Sequence, residues 1–136
     1  MKDLLKYKTG TNYFENDFAA YLKKDYILYI RFKENLSLSY AAAKKIVQDR
    51  LRFQAYSAYH VICDVSGILT IDEAARDYLA TKGSYQLKAA ALVTGKRTLY
   101  KMGTYYKVFN TPKILTEVFS TLEEAEAYIK NLTAKP

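Results

Sequence analysis

Few residues in this chain are equipped to do chemistry. There is one cysteine, Cys63, and one histidine, His60, which excludes a disulfide framework, a multi-cysteine zinc site and a multi-histidine metal site. The two lie three positions apart in an extended run. Strand side chains alternate with a period of two, so these two point to opposite faces and do not form a nucleophile–base pair. Cys63 reads as a small buried hydrophobe and His60 as a sheet-face histidine. Asp64 and Asp72 bracket a strand-to-helix loop that also holds Ser66, and Glu73 follows. Two carboxylates at that spacing can pair or hold a cation, but Asp in such loops more commonly accepts bonds from nearby backbone N–H groups. Neither GxGxxG nor GxxxxGK[ST] occurs, so no glycine-rich phosphate loop is expected. Thr94-Gly95-Lys96-Arg97, with Lys101 and Lys107 further on, offers helix-start N–H groups and cations to an anion; a solvated turn is the plainer reading. With no nucleophile beside a base, enzyme activity is the least expected class, and no cofactor is implied.

Charge is concentrated. The chain has 136 residues, 21 Lys and Arg, 14 Asp and Glu, and a formal charge of +7. From Tyr78 to Thr116 seven basic residues (Lys82, Lys88, Lys96, Arg97, Lys101, Lys107, Lys113) meet no acid, so the whole excess comes from this stretch. With Tyr85, Tyr100, Tyr105 and Tyr106 interleaved, it has the ingredients of a nucleic-acid surface. No nucleic-acid motif accompanies it, so that reading ranks behind a solvated surface and behind an acidic protein partner. No apolar run is long enough to span a membrane, and Met1–Lys6 lacks the apolar core of a secretory signal, so a cytoplasmic protein is expected.

Tyr13–Tyr21 and Tyr26–Lys33 form an antiparallel hairpin across Lys23-Lys24-Asp25. Tyr40–Ser57 is helical, with Ser37 or Ser39 as its cap and a stripe of Tyr40, Ala43, Val47, Leu51 and Gln54. Tyr59–Val65 and Leu87–Val93 are continuous apolar runs, typical of strands covered on both faces. Between them a helix opens on a Thr70–Glu73 capping box and stops at Gly83. A third helix is expected over 96–109, a short strand at Glu117–Phe119, and a last helix that opens on a Ser120–Glu123 box and turns Leu122, Ala125, Ile129 and Leu132 inward. The order β-β-α-β-α-β-α-β-α predicts an α/β fold. One domain spans 1–136, with its core over about 13–132, and a mixed sheet has an antiparallel start and parallel later strands joined by helical crossovers.

Asp64-Val65-Ser66-Gly67-Ile68-Leu69-Thr70-Ile71-Asp72, lying between a buried strand and a helix, resembles the central signature of STAS domains, which include bacterial anti-sigma-factor antagonists and the cytoplasmic tails of sulfate transporters. With Val118-Phe119-Ser120 and Ala125, the chain is similar to small uncharacterised bacterial proteins of STAS-like fold. The resemblance implies a non-catalytic regulatory or interaction module. Its partner would be a protein, a second copy included, and its interaction loop would hold Asp64, Ser66, Asp72 and Glu73. In the antagonists a phosphorylatable serine or threonine follows the second Asp, whereas here Glu73 stands there, and a carboxylate carries one charge where phosphate carries nearly two. Two alternatives remain. One is a small apolar or anionic ligand in a lipid-transfer-like pocket, with room left by Ala89, Ala90 and Ala91. The other is nucleic-acid or anionic-surface binding through 78–116.

Overall fold

The computed structural model describes residues 12–95, 106 and 110–134. A six-stranded sheet forms the centre, in the order β1 (Tyr13–Glu15), β2 (Ala19–Lys24), β3 (Ile27–Phe32), β5 (Tyr59–Asp64), β7 (Leu87–Val93), β8 (Leu115–Phe119). The pairs β1·β2 and β2·β3 are antiparallel; β3·β5, β5·β7 and β7·β8 are parallel. A second, two-stranded parallel sheet pairs β4 (Leu36–Leu38) with β6 (Ile68–Ile71). The described helices are α1 (Tyr40–Phe53), α2 (Glu73–Ala80), followed by a 3-10 turn at Lys82–Ser84, and α3 (Leu122–Thr133). The α/β architecture with an antiparallel start and parallel later strands is the one the sequence predicts. The helix expected over 96–109 lies outside the described residues apart from Tyr106, which is helical.

Helices pack on both faces of the sheet, and for that reason β5 and β7 carry no polar alternation. On one face Leu28, Ile30, Val61 and Ala90 meet Ala42, Ala43 and Ile46 of α1 and Ala75 of α2. On the other, Ile27, Tyr29, Ile62, Ala91 and Val93 meet Leu122, Ala125 and Ile129 of α3. Each fully buried Ile or Leu contributes roughly 1.5–3 kcal/mol. A bulge at the start of β7 leaves Lys88 unpaired between the Tyr59–Leu87 and His60–Ala89 partners, so Lys88 stays in water while its neighbours alternate normally.

Several boundaries differ from the sequence reading. Tyr13–Tyr21 is two strands and not one: Asn16 Oδ1 accepts from the N–H groups of Phe18 (2.8 Å) and Ala19 (2.9 Å), and this Asx turn reverses the chain. The α1 helix ends at Phe53. Tyr56 N–H then reaches back to Leu51 O with Ala55 and Tyr56 at positive φ, a Schellman closure. The α2 cap is Asp72, whose carboxylate accepts from Ala75 N–H (2.9 Å). Thr70 does not cap, because pairing with Ser37 draws it into β6. That helix stops at Ala80, and Gly83 sits in the 3-10 turn. Thr121 caps α3 in place of Ser120, whose carbonyl is taken by Gly95 N–H. The last strand begins at Leu115, two residues earlier than expected.

Tyr26 is not a strand residue. Lys24 pairs with Ile27, and the two-residue connection Asp25–Tyr26 has φ of 53° and 65°, the type I′ geometry that glycine prefers at its second position. Tyr26 is 91% exposed, so its side chain packs on nothing that offsets this backbone. Replacing Tyr26 by Gly should raise stability by about 1 kcal/mol, read as a higher urea midpoint at unchanged slope; an unchanged or lower midpoint would count against the assigned turn.

Candidate functional site

The candidate interaction loop begins where β5 ends. Asp64 is buried, and its Oδ1 accepts from Ser66 N–H (2.9 Å) and from the Ser66 hydroxyl (2.6 Å). The Asp-x-Ser element is thus a closed Asx turn. Next comes Gly67, which passes so close to the end of β3 that an added Cβ would lie 2.4 Å from Lys33 O and 2.7 Å from Phe32 O. Only a residue without a side chain fits there. Gly67 O then accepts from Leu36 N–H (3.1 Å) and so starts the β4·β6 pair. Beyond β6, Asp72 caps α2 and Glu73 opens it, both exposed, with the Glu73 carboxylate at the positive end of the helix dipole.

The four residues fall into two places. Asp64 and Ser66 line an open pocket of about 420 Å³ with Gly95, Ser120, Thr121 and Glu123, at the carboxyl ends of β5, β7 and β8. Asp72 and Glu73 lie one strand further on, at the start of α2. Each Asp is engaged in its own turn. Sequence reasoning missed Ser120 and Thr121 as neighbours of Ser66. The signal was present in the topology, since loops that follow adjacent parallel strands gather at one edge of the sheet.

The α2 corner has a second component. Leu38 pairs with Ile71, and Asp72 N–H donates to Leu38 O (3.3 Å), so β4 and β6 deliver α1 and α2 side by side, with Tyr40 and Glu73 as their first residues. Ser39 caps α1 by accepting from Ala42 N–H (3.2 Å), as the sequence suggests; Ser37 lies in β4. The Tyr40 ring stands edge-on to Tyr78 of α2 at 5.4 Å, with Lys44 Nζ over its face. Tyr40 is 45% and Leu69 62% exposed. An exposed leucine of β6 and an exposed tyrosine and glutamate at the starts of α1 and α2 therefore lie on the elements that meet at this corner.

The remaining candidates are placed plainly. Lys96, Arg97, Lys101 and Lys107 lie outside the described residues. Lys82, Lys88 and Lys113 are exposed. Tyr106 is half-buried and lines a cavity in the core, where burial raises its phenol pKa, so it is not offered to a base as an exposed stacking platform. That cavity lies on the α1/α2 side of the sheet and measures about 120 Å³, too small for the lipid-transfer-like pocket. Of the three alanines, only Ala90 lines it, because Ala89 and Ala91 pair with His60 and Ile62 on the α3 face. His60 is held below its usual pKa by burial and by the Lys88 charge.

Burial pushes the Cys63 thiol up to about 12, opposed by the Arg50 charge and aided by that of Asp64. At pH 8 the folded thiol is then far less ionised than a free cysteine's, so iodoacetamide should react at least about ten-fold more slowly than with the unfolded chain. The folded state favours the neutral thiol, so this contribution to stability is whole below the unfolded pKa near 9 and is lost as pH rises toward 12. Fast alkylation of the folded chain at pH 8 would contradict this placement.

Residues 20–133 match the model of the DUF7793 family, a domain of unknown function. The chain belongs to that family. No curated protein sequence matches it. Among solved structures it is similar to an uncharacterised DUF3478-family protein with a SpoIIAA-like fold from Shewanella loihica PV-4, at TM-score 0.59 and 11% identity, over 85% of this chain and 98% of that one. It is also similar to a serine-to-glutamate variant of RsbS from Moorella thermoacetica, at TM-score 0.58 and 18% identity, over 85% of this chain and 97% of that one. These likenesses show that the fold is STAS-like. Among the described residues no helix is long and apolar enough to cross a membrane, and no three His, Cys, Asp or Glu side chains gather as a metal site.

Proposed function

We propose that this chain is a single-domain, non-catalytic protein-interaction module of STAS type, and that its docking surface is the corner built by β6 and the first turns of α1 and α2. The observation that carries this reading is the exposure of Leu69 on β6 and of Tyr40 and Glu73 at the first turns of α1 and α2, on a corner whose backbone is tied down by two side-chain caps and the β4·β6 ladder. Rigid aromatic and aliphatic anchors beside a charge are what a specific interface uses. Glu73 supplies at all times a negative charge where the resemblance places a phosphorylatable hydroxyl, so the corner presents one state and not a switchable pair. The solved RsbS relative itself carries glutamate in place of a serine. A non-catalytic role is supported by the groups nearest to chemistry: the Ser66 hydroxyl donates to Asp64, and the Cys63 thiol is held protonated.

The partner on this reading is a protein with a complementary basic and apolar face, in the cytoplasm of a bacterium. Leu69→Glu tests it. At an exposed position the change should alter stability by no more than about 0.5 kcal/mol while abolishing the complex that the wild-type chain forms in lysate of its source cells, read by size exclusion with light scattering. A complex that survives Leu69→Glu unchanged would refute the corner. A homodimer that dissociates with the variant would keep the surface and make the partner a second copy.

A further inference from the structure

Two cations stand in the wall of the core cavity. Its lining is otherwise largely apolar, from Val61, Ile68, Leu79, Leu87 and Ala90 among others, but Arg50 of α1 and Arg76 of α2 also line it. Arg76 donates to Ile71 O (2.9 Å), and Arg50 is only 2% exposed. A buried guanidinium normally faces a carboxylate. Among the described residues Arg50 has none: the neighbouring Asp49 is engaged by Lys45 (3.1 Å), Arg52 (3.9 Å) and Asn16 (2.9 Å). The partners of Arg50 are neutral oxygens. One terminal nitrogen donates to Gly83 O (3.1 Å) and Tyr85 O (3.0 Å), and the other donates to Gln54 Oε1. A guanidinium has five donor hydrogens. Those bonds leave Nε–H and one terminal hydrogen uncommitted among the described residues, beside an apolar hollow.

We propose that this cavity binds a small monocarboxylate with an apolar body, its carboxylate on the uncommitted donors of Arg50 and its carbons against Val61, Leu87 and Ala90. The size follows from the volume. Filled at the interior packing density of about 0.74, a cavity of about 120 Å³ takes roughly 90 Å³ of ligand, about six heavy atoms, the size of a branched four-carbon acid. Fatty acids of lipid length are excluded by the same arithmetic. The carboxylate would give the buried cation the charge partner that the described residues do not supply, and charge-assisted bonds of this type are about twice as strong as neutral ones. Arg50 holds Gly83 and Tyr85 to the end of α1, so occupancy would be felt at the α2–β7 connection as well as in the core.

Sodium isobutyrate is the probe, with isobutyramide as its neutral isostere, titrated into the whole chain and followed by amide NMR shifts. Saturable shifts centred on Val61, Cys63 and Ala90 are expected, with isobutyrate binding about ten-fold or more tighter than the amide. Ala90→Leu, which fills the hollow without touching Arg50, should abolish those shifts while leaving the fold's midpoint unlowered; Leu92→Phe fills it from a neighbouring position and serves if the first variant is unstable. Absence of saturable shifts, equal binding of acid and amide, or binding that survives both filled variants would each overturn the proposal. None of these outcomes bears on the α2 corner, so the two readings fail separately.

Discussion

Gly67→Ala is expected to cost roughly 3–4 kcal/mol and to bring the chain close to unfolding at ambient temperature. The cost comes from the backbone. An added methyl would stand 2.4 Å from Lys33 O and 2.7 Å from Phe32 O, and neither carbonyl can rotate away as a flexible side chain would. Relief requires the β5–β6 loop to lift from the end of β3. Lifting it breaks the Gly67 O bond from Leu36 N–H and with it the pairing that aligns α1 and α2. Loss of stability and loss of binding at the proposed docking corner should therefore come together. Urea unfolding checks the first and the light-scattering assay the second. A variant within about 1 kcal/mol of wild type would mean that the loop does not run where it is placed.

Arg50→Ala carries the second large effect, about 3 kcal/mol. Removing the side chain strands Gly83 O and Tyr85 O, two carbonyls that no strand or helix ladder serves, and frees Gln54 Oε1. Each buried acceptor left without a donor costs about 1–3 kcal/mol. Relief of a desolvated charge offsets part of this: burial holds the Arg50 pKa down to about 10, so the guanidinium is itself costly to keep. Gln54→Ala should be milder, because its amide donates to Ser57 O (2.8 Å) and Gln86 O (2.9 Å) at a surface-proximal turn. Thermal unfolding of the two variants orders them; a smaller loss for Arg50→Ala than for Gln54→Ala would contradict the assigned network.

What was legible in the sequence and what was not divides along length scale. The central strands were legible because Tyr59–Val65 and Leu87–Val93 are apolar without alternation, and only double coverage explains that. Their parallel pairing, from Tyr59–Leu87 through Asp64–Val93, followed from the alternation with helices. The β4·β6 sheet was illegible: strands of three and four residues are too short to show a period. Missing it also misplaced a cap. Thr70 and Asp72 are both acceptable cap residues, and pairing of Thr70 with Ser37 decides between them. The Asx turn at Asn16 was written in the residue types and was overlooked under an aromatic run. The role of Arg50 could not be read locally at all, since its carbonyl partners lie 33 and 35 positions away. The candidate site was half legible. The motif located the loop, but that Ser66 shares a pocket with Ser120 and Thr121, while Glu73 and Tyr40 open helices delivered side by side by β4 and β6, is a matter of topology.

The docking corner is tested most directly by positional photo-crosslinking: a photoreactive residue at Leu69, and in a second chain at Lys130 on the exposed side of α3, irradiated in lysate of the source cells. A discrete adduct is expected from position 69, lost when Glu73→Lys is added, with no matching adduct from position 130. Equal adducts from both positions, or an adduct at 69 indifferent to the reversed charge, would contradict the proposed corner.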